Sequence, residues 1–168
     1  METVVIQEVS NPGDLATVKL LFKEYWASLG FGRETFGFGE ELDNLPGVYK
    51  RPTGRLALAM TSGKAVGCVA LRKLNATSCE MKRLYVRHDQ RGKGVAIALL
   101  EWLVSQARVE GYTKMMADTL PTMAAALHLY ARVGFRRTEP YSEKPTPGAI
   151  YLMKDLLAEE SAMNSNRG

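Results

Sequence analysis

Residues 80–96 read EMKRLYVRHDQRGKGVA. The first seven suit a strand that ends at Val86. A short polar loop follows, and Arg91-Gly92-Lys93-Gly94-Val95-Ala96 opens a run over 94–110. There Leu99, Leu100, Trp102, Leu103 and Ala107 recur at helical steps. The order is strand, tight loop, helix. Two glycines one residue apart at such a junction let backbone N–H groups converge with no Cβ in the way. The first-turn amides of a helix lack acceptors and sit at the positive end of its dipole, so they suit a phosphate or pyrophosphate. Arg87, Arg91 and Lys93 add charge at the same place. The loop is not Walker A, because Arg87 and Gly94 stand where Gly and Ser or Thr are needed. It is not the dinucleotide fingerprint G-x-G-x-x-G either, since Ile97 replaces the last glycine.

The strand itself poses a problem. Strict alternation puts Glu80, Lys82, Leu84 and Val86 on one face and Met81, Arg83 and Tyr85 on the other. Neither face is apolar. A β-bulge inside this strand resolves the conflict and leaves backbone groups open.

Outward from this segment, strands are expected over 55–60, 64–74 and 79–86, joined by turns at 61–63 and 75–78. Upstream, a strand over 4–9 leads through Asn11-Pro12-Gly13-Asp14 into an amphipathic helix that ends at Gly30. Residues 31–54 are loop-rich, with a short helix near 40–45. Downstream come a strand over 114–118, a helix over 123–133 closed by Gly134, and strands over 135–141 and 149–154. The order β-α-α-β-β-β-α-β-α-β-β gives an α+β class, a mixed sheet of about six or seven strands flanked by about four helices. A single domain is expected over 1–157, with a polar, frayed tail over 158–168.

Of the 168 residues, 46% are hydrophobic and 24% charged, which excludes a disordered chain. Two cysteines, Cys68 and Cys79, exclude a disulfide-rich scaffold. Turning the hairpin at Asn75-Ala76 puts Cys68 opposite roughly Arg83, out of reach of Cys79, and both read as reduced core thiols. No apolar run reaches the ~18–20 residues of a membrane span. Residues 1–10 lack the basic cluster of a secretory signal. A cytoplasmic location is therefore expected, with no membrane partner. No metal-ligand spacing is present. The formal charge of +4 admits a polyanionic partner or an anionic cofactor. Arg72, Lys73, Lys82, Arg83, Arg87 and Arg91 lack the interleaved aromatics of single-strand binders, so no nucleic acid is expected.

The spacing R-x-x-G-x-A from Arg91 through Gly94 to Ala96 resembles the acyl-coenzyme A pyrophosphate loop of the GNAT superfamily of N-acetyltransferases. Ala126 to Phe135, ALHLYARVGF, is similar to that family's A-x-x-L-Y-x-x-x-G-F segment, and the element order agrees from end to end. The resemblance implies transfer of an acetyl group from acetyl-CoA to a primary amine of a small molecule or peptide, by direct attack in a ternary complex. It places Arg91, Gly92, Lys93, Gly94, Val95 and Ala96 on the pyrophosphate. Backbone groups of Leu84, Tyr85 and Val86 would run along the pantetheine arm, with the Leu84 N–H on the oxyanion. Tyr130 would be the general acid toward the departing sulfur. Dimers are common in the family, so a homodimer is admitted. A non-catalytic acyl-CoA-sensing or partner-binding module is the alternative on the same fold.

Such a reaction needs a neutral amine, although a lysine-like amine has a pKa near 10.4, so a base must take its proton. Glu80 lies where the histone-acetyltransferase branch carries its glutamate. His128 and a water chain stay open beside it. One departure stands out: Met123 occupies the position of the usual pantetheine-binding Asn, for which Thr119 or Thr122 would have to substitute. The acceptor cleft would be built from 31–49 and 141–151, where Phe31, Phe36, Phe38, Tyr49, Tyr141 and Tyr151 cluster. Glu34, Glu40, Glu41 and Glu143 are carboxylates that could hold a cationic amine. The net charge argues against a highly basic acceptor. The stretch DTLPTM, residues 118–123, is similar to bacterial members of unassigned substrate.

Overall fold

In the computed structural model, residues 2–142 and 145–157 are described. They form one seven-stranded sheet in the order β1-β2-β3-β4-β5-β7-β6. The strands are β1 Val4–Glu8, β2 Arg55–Thr61, β3 Lys64–Lys73, β4 Ser78–Val86, β5 Lys114–Thr119, β6 Arg136–Arg137 and β7 Ile150–Asp155. The helices are α1 Pro12–Ser28, α2 Phe38–Asp43, α3 Val95–Val109 and α4 Ala124–Arg132. Only β4 and β5 pair in parallel; every other neighbouring pair is antiparallel.

Both faces of the sheet are covered. Leu56 and Leu58 of β2 join Val18, Leu21 and Phe22 of α1 in one core layer. Ala57 and Ala59 of the same strand join Leu99, Leu100 and Leu103 of α3 in the other. Period-two alternation thus sends large side chains toward α1, and alanines toward α3, where the helix lies close. The start of α1 follows from local chemistry: Asn11 Oδ1 accepts from the Asp14 amide at 2.8 Å, and Pro12 sits in the first turn.

The bulge expected in β4 is present. Cys68 of β3 pairs with Tyr85, but Ala70 pairs with Lys82, so two steps on β3 match three on β4. Arg83 takes up the extra residue at φ 59°. Parity switches there: Cys79 and Met81 face the α3 layer, then Leu84 and Val86 do. Tyr85 falls to the α1 layer. The bulge, on top of a hairpin register already one residue beyond a turn at Asn75-Ala76, moves Cys68 off its expected partner. It pairs with Tyr85 rather than Arg83, while its Sγ lies 3.4 Å from the Arg83 carbonyl.

Two expectations need adjustment. The strand expected over 135–141 is only Arg136–Arg137, and its last bond runs from Thr138 N to the Tyr151 carbonyl at 2.9 Å. Pro140 has no N–H to carry the ladder further. The short helix runs over Phe38–Asp43 rather than 40–45, because Gly37 in the left-handed region starts it early. The tail expected over 158–168 lies outside the described residues.

Gly67 lets β3 approach both β4 and α3. A Cβ there would stand 2.8 Å from the Tyr85 carbonyl and 3.3 Å from Leu99 Cδ1. Gly67→Ala should destabilise by about 1–3 kcal/mol through overpacking. The measurement is urea unfolding, with a lower midpoint and an unchanged slope.

Candidate active site

The parallel pairing of β4 with β5 covers only Ser78 to Glu80 against Lys114 to Met116. Beyond those residues the two strands part, and a cleft opens between them. Ligands of α/β sheets gather at the carboxyl ends of parallel strands, where this cleft lies. Its floor is a cavity of about 30 Å³ lined by Tyr25, Met81, Lys82, Arg83, Leu84, Asp118 and Tyr130. A larger cavity of about 170 Å³ shares Tyr25, Lys82, Arg83 and Asp118 with it. Trp26, Phe31 and Phe36 form its aromatic wall, with Thr119, Met123 and Thr146 opposite.

Arg83 organises this region. A non-glycine residue in the left-handed region is strained by roughly 1–2 kcal/mol. The side chain supplies the compensation. Nε and one terminal nitrogen donate to the two Glu41 oxygens, both at 2.9 Å. The guanidinium carbon lies 4.9 Å from the Trp26 ring centroid and 5.6 Å from that of Phe38. Burial disfavours its charge, but the Glu41 bonds outweigh it, and the Arg83 pKa lies above the usual arginine value. Tyr49 donates to Glu41 at 2.8 Å and completes the cluster.

Glu80 lies on the other side of the bulge and is 3% exposed. Arg72 Nε donates to Oε1 at 2.7 Å, and the Tyr141 hydroxyl donates to Oε2 at 2.6 Å. Burial, then the Glu80 charge, push the Tyr141 phenol upward, so it remains a donor. Lys82 Nζ stands 3.8 Å from Glu80 and 3.7 Å from Asp118, outside hydrogen-bond distance of both. Asp118, at the carboxyl end of β5, is the carboxylate that lines both cavities. Sequence reasoning passed over it. The available signal was its place at the end of the strand that parts from β4.

Tyr130 is buried on α4, its ring centroid 5.6 Å from that of Phe135, and it lines the floor cavity. Burial raises its pKa, and the nearby Tyr25 and Asp118 act in the same direction, so the phenol keeps its proton at neutral pH. His128 is exposed on α4 and lines neither cavity. Thr119 is buried and donates to Met123 Sδ at 3.5 Å, whereas Thr122 is exposed. Among the other acidic residues singled out, Glu34 and Glu40 are exposed, Glu41 is spent on Arg83, and Glu143 lies outside the described residues.

At the loop after β4, Gly92 and Gly94 take φ of 77° and 81°. Gly94 is the N-cap of α3, and the first bond into the helix runs from Ala98 N to Gly94 O at 3.1 Å. The amides ahead of Ala98 therefore have no helical acceptor. Gly92, Lys93 and Gly94 are exposed, while Val95 anchors the turn in the core. Arg91 Nε donates to the Val86 carbonyl at 3.0 Å and ties the loop to the strand. Arg87 does not join this cluster: its guanidinium turns to α1 and pairs with Glu24 at 2.6 Å. The Tyr85 ring likewise leaves the cleft side and packs on Tyr25, centroids 5.6 Å apart.

The model of the acetyltransferase (GNAT) family matches residues 18–135, and the chain belongs to that family. An uncharacterised N-acetyltransferase of Schizosaccharomyces pombe is 35% identical over 155 residues, 91% of this chain and 95% of its own length. A GNAT-family acetyltransferase structure from Staphylococcus aureus superposes with a TM-score of 0.78 at 18% identity, covering 92% and 99% of the two chains. An aminoglycoside 6'-N-acetyltransferase solved with coenzyme A gives 0.69 at 16% identity, covering 90% and 97%. Both structures share the fold with this chain.

Both cysteines are buried and unpaired. Burial pushes the Cys79 thiol up to about 12, partly offset by a backbone hydrogen bond, and pushes Cys68 up as well. Thiols react as thiolates. In the folded protein at pH 8, neither should react with a disulfide reagent within minutes, and two thiols should appear on unfolding. Absorbance of the released chromophore reads this directly, and a fast native thiol would point to an exposed, reactive cysteine instead.

Proposed function

We propose that this chain is an N-acetyltransferase that moves the acetyl group of acetyl-CoA to a primary amine of a small molecule or peptide, in a ternary complex. One observation carries the reading. A carboxylate, a protonated phenol and a bulged strand meet on a single small cavity, with an open amide turn at the end of the same strand.

The exposed turn from Arg91 to Ala96 suits the coenzyme's phosphates, with Lys93 as a mobile charge and the free first-turn amides as donors. Leu84, Tyr85 and Val86 contribute backbone groups to the pantetheine arm. The thioester supplies an activated acyl carbon. Asp118 takes the proton of the incoming amine, with Glu80 behind it across Lys82 holding the network's charge. The amine lone pair then forms the C–N bond, the Leu84 amide donates to the developing oxyanion, and the C–S bond breaks. Tyr130 gives its proton to the sulfur, and the second nitrogen proton, shed as the amide forms, returns to the Tyr130 phenolate. Residues 1–157 act as one domain, and two free thiols suit a reducing compartment such as the cytoplasm.

Tyr130→Phe should lower kcat by about 10²-fold or more while acetyl-CoA binding by calorimetry is kept. Asp118→Asn should lose most activity near neutral pH and regain ground at high pH, where the amine deprotonates unaided. Glu80→Gln should leave that pH dependence in place. The same neutral-pH loss and high-pH recovery in Glu80→Gln, with Asp118→Asn unaffected, would make Glu80 the proton acceptor instead. Acetyl-CoA binding with no turnover on any amine would favour an acyl-CoA sensor, and absence of binding at millimolar concentration would remove the reading altogether.

A further inference from the structure

The cavity that would receive the acceptor is not an acidic groove. Lys82 and Arg83 both line it, against the single carboxylate of Asp118 among the described residues. Arg83 is unavailable to a ligand, since Glu41 holds it through two bonds and two aromatic rings cover it. Lys82 is different. Its side chain is 21% exposed, and its two carboxylate neighbours stand at 3.8 and 3.7 Å from Nζ. The Lys82–Asp118 pair is thus an ion pair held open at the floor of the cleft. Above it rises a wall of Trp26, Phe31 and Phe36. Phe36 packs edge-on against Trp26 and Phe31 yet is 63% exposed, so its free face lies open to the cleft.

We infer, resting on the acetyltransferase reading above, that the acceptor is a free α-amino acid with a large apolar side chain. An ammonium and a carboxylate borne on one carbon satisfy both ends of the open pair. The amino group goes to Asp118, beside Tyr130 and Leu84, where acyl transfer would occur. The carboxylate goes to Lys82. The side chain leaves along the aromatic wall and buries its apolar surface there. Size agrees with a small molecule: the cavity of about 170 Å³ is more than ten times the ~10–15 Å³ that a single water needs. A polyamine or a basic peptide would bring a second cation against Lys82 with no carboxylate left to receive it.

The test compares L-phenylalanine, L-phenylalaninamide, phenethylamine and spermidine as acceptors for the full chain, by thiol release from acetyl-CoA. L-Phenylalanine should exceed L-phenylalaninamide in kcat/KM by roughly 10- to 100-fold, as expected for one charge-assisted contact. The amide keeps shape and side chain and has the less basic amine, so this preference cannot arise from amine protonation. Lys82→Met should collapse the ratio toward one. Phe36→Ala, at an exposed site that leaves the core intact, should raise KM for L-phenylalanine and not for glycine. Equal or better use of the amide, phenethylamine or spermidine overturns the inference and leaves the acetyltransferase reading standing. No acetyl-CoA binding and no turnover anywhere in the panel overturns both.

Discussion

The left-handed turn of Arg83 inside β4 is the constraint from which the site follows. One extra residue on β4 reverses which side chains face which layer, so Met81 and Leu84 both pack toward α3 although they lie three steps apart. The strained backbone is stabilised by its own side chain. Hydrogen bonds to a charged partner contribute roughly 1.5–3 kcal/mol each, enough to offset the roughly 1–2 kcal/mol of left-handed strain. Without that anchoring the strand would relax to regular pairing and turn Leu84 away from the α3 side.

Parting of β4 from β5 adds the second element. A parallel pair that stops after three residues leaves the remaining strand ends free to diverge, and β5 turns instead to β7, which pairs along its whole length from Lys114 to Thr119. Asp118 is thereby fixed by the β7 ladder yet faces the cleft. Its charge is balanced at a distance by Lys82, which also stands near the buried Glu80. Two carboxylates and one lysine form a chain in which only the Glu80 end is saturated by hydrogen bonds. The unsaturated end is the one that faces the cavity.

Much of this was legible in the sequence. The element order followed from periodicity and turn chemistry, and the loop at Arg91–Ala96 from glycine spacing at a strand-to-helix junction. The bulge was deducible because both faces of β4 mix apolar and charged residues under strict alternation, a contradiction that only an inserted residue removes. Side-chain commitments were not legible. Arg87 and Arg91 are equivalent by sequence, yet one pairs with Glu24 on a helix some sixty residues earlier and the other ties down the loop. Asp118 and Glu41 could not be ranked for the same reason: which carboxylate an arginine claims depends on non-local packing. The strand expected over 135–141 stops at Arg137 because Pro140 cannot donate to the ladder, which outweighs the β-forming residues around it.

The aromatic wall and the bulged strand are joined through one guanidinium. Trp26 and Phe38 stack on each other at 4.5 Å and on Arg83, so they help to hold the backbone that carries Leu84. Phe31 and Phe36 touch Trp26 but not Arg83. The pocket therefore has a conservative inner half and an evolvable outer half. On the acetyltransferase reading, drift at Phe31 or Phe36 would retune which molecules are accepted and leave β4 untouched, whereas a change at Trp26 or Phe38 would also disturb the packing that holds Arg83.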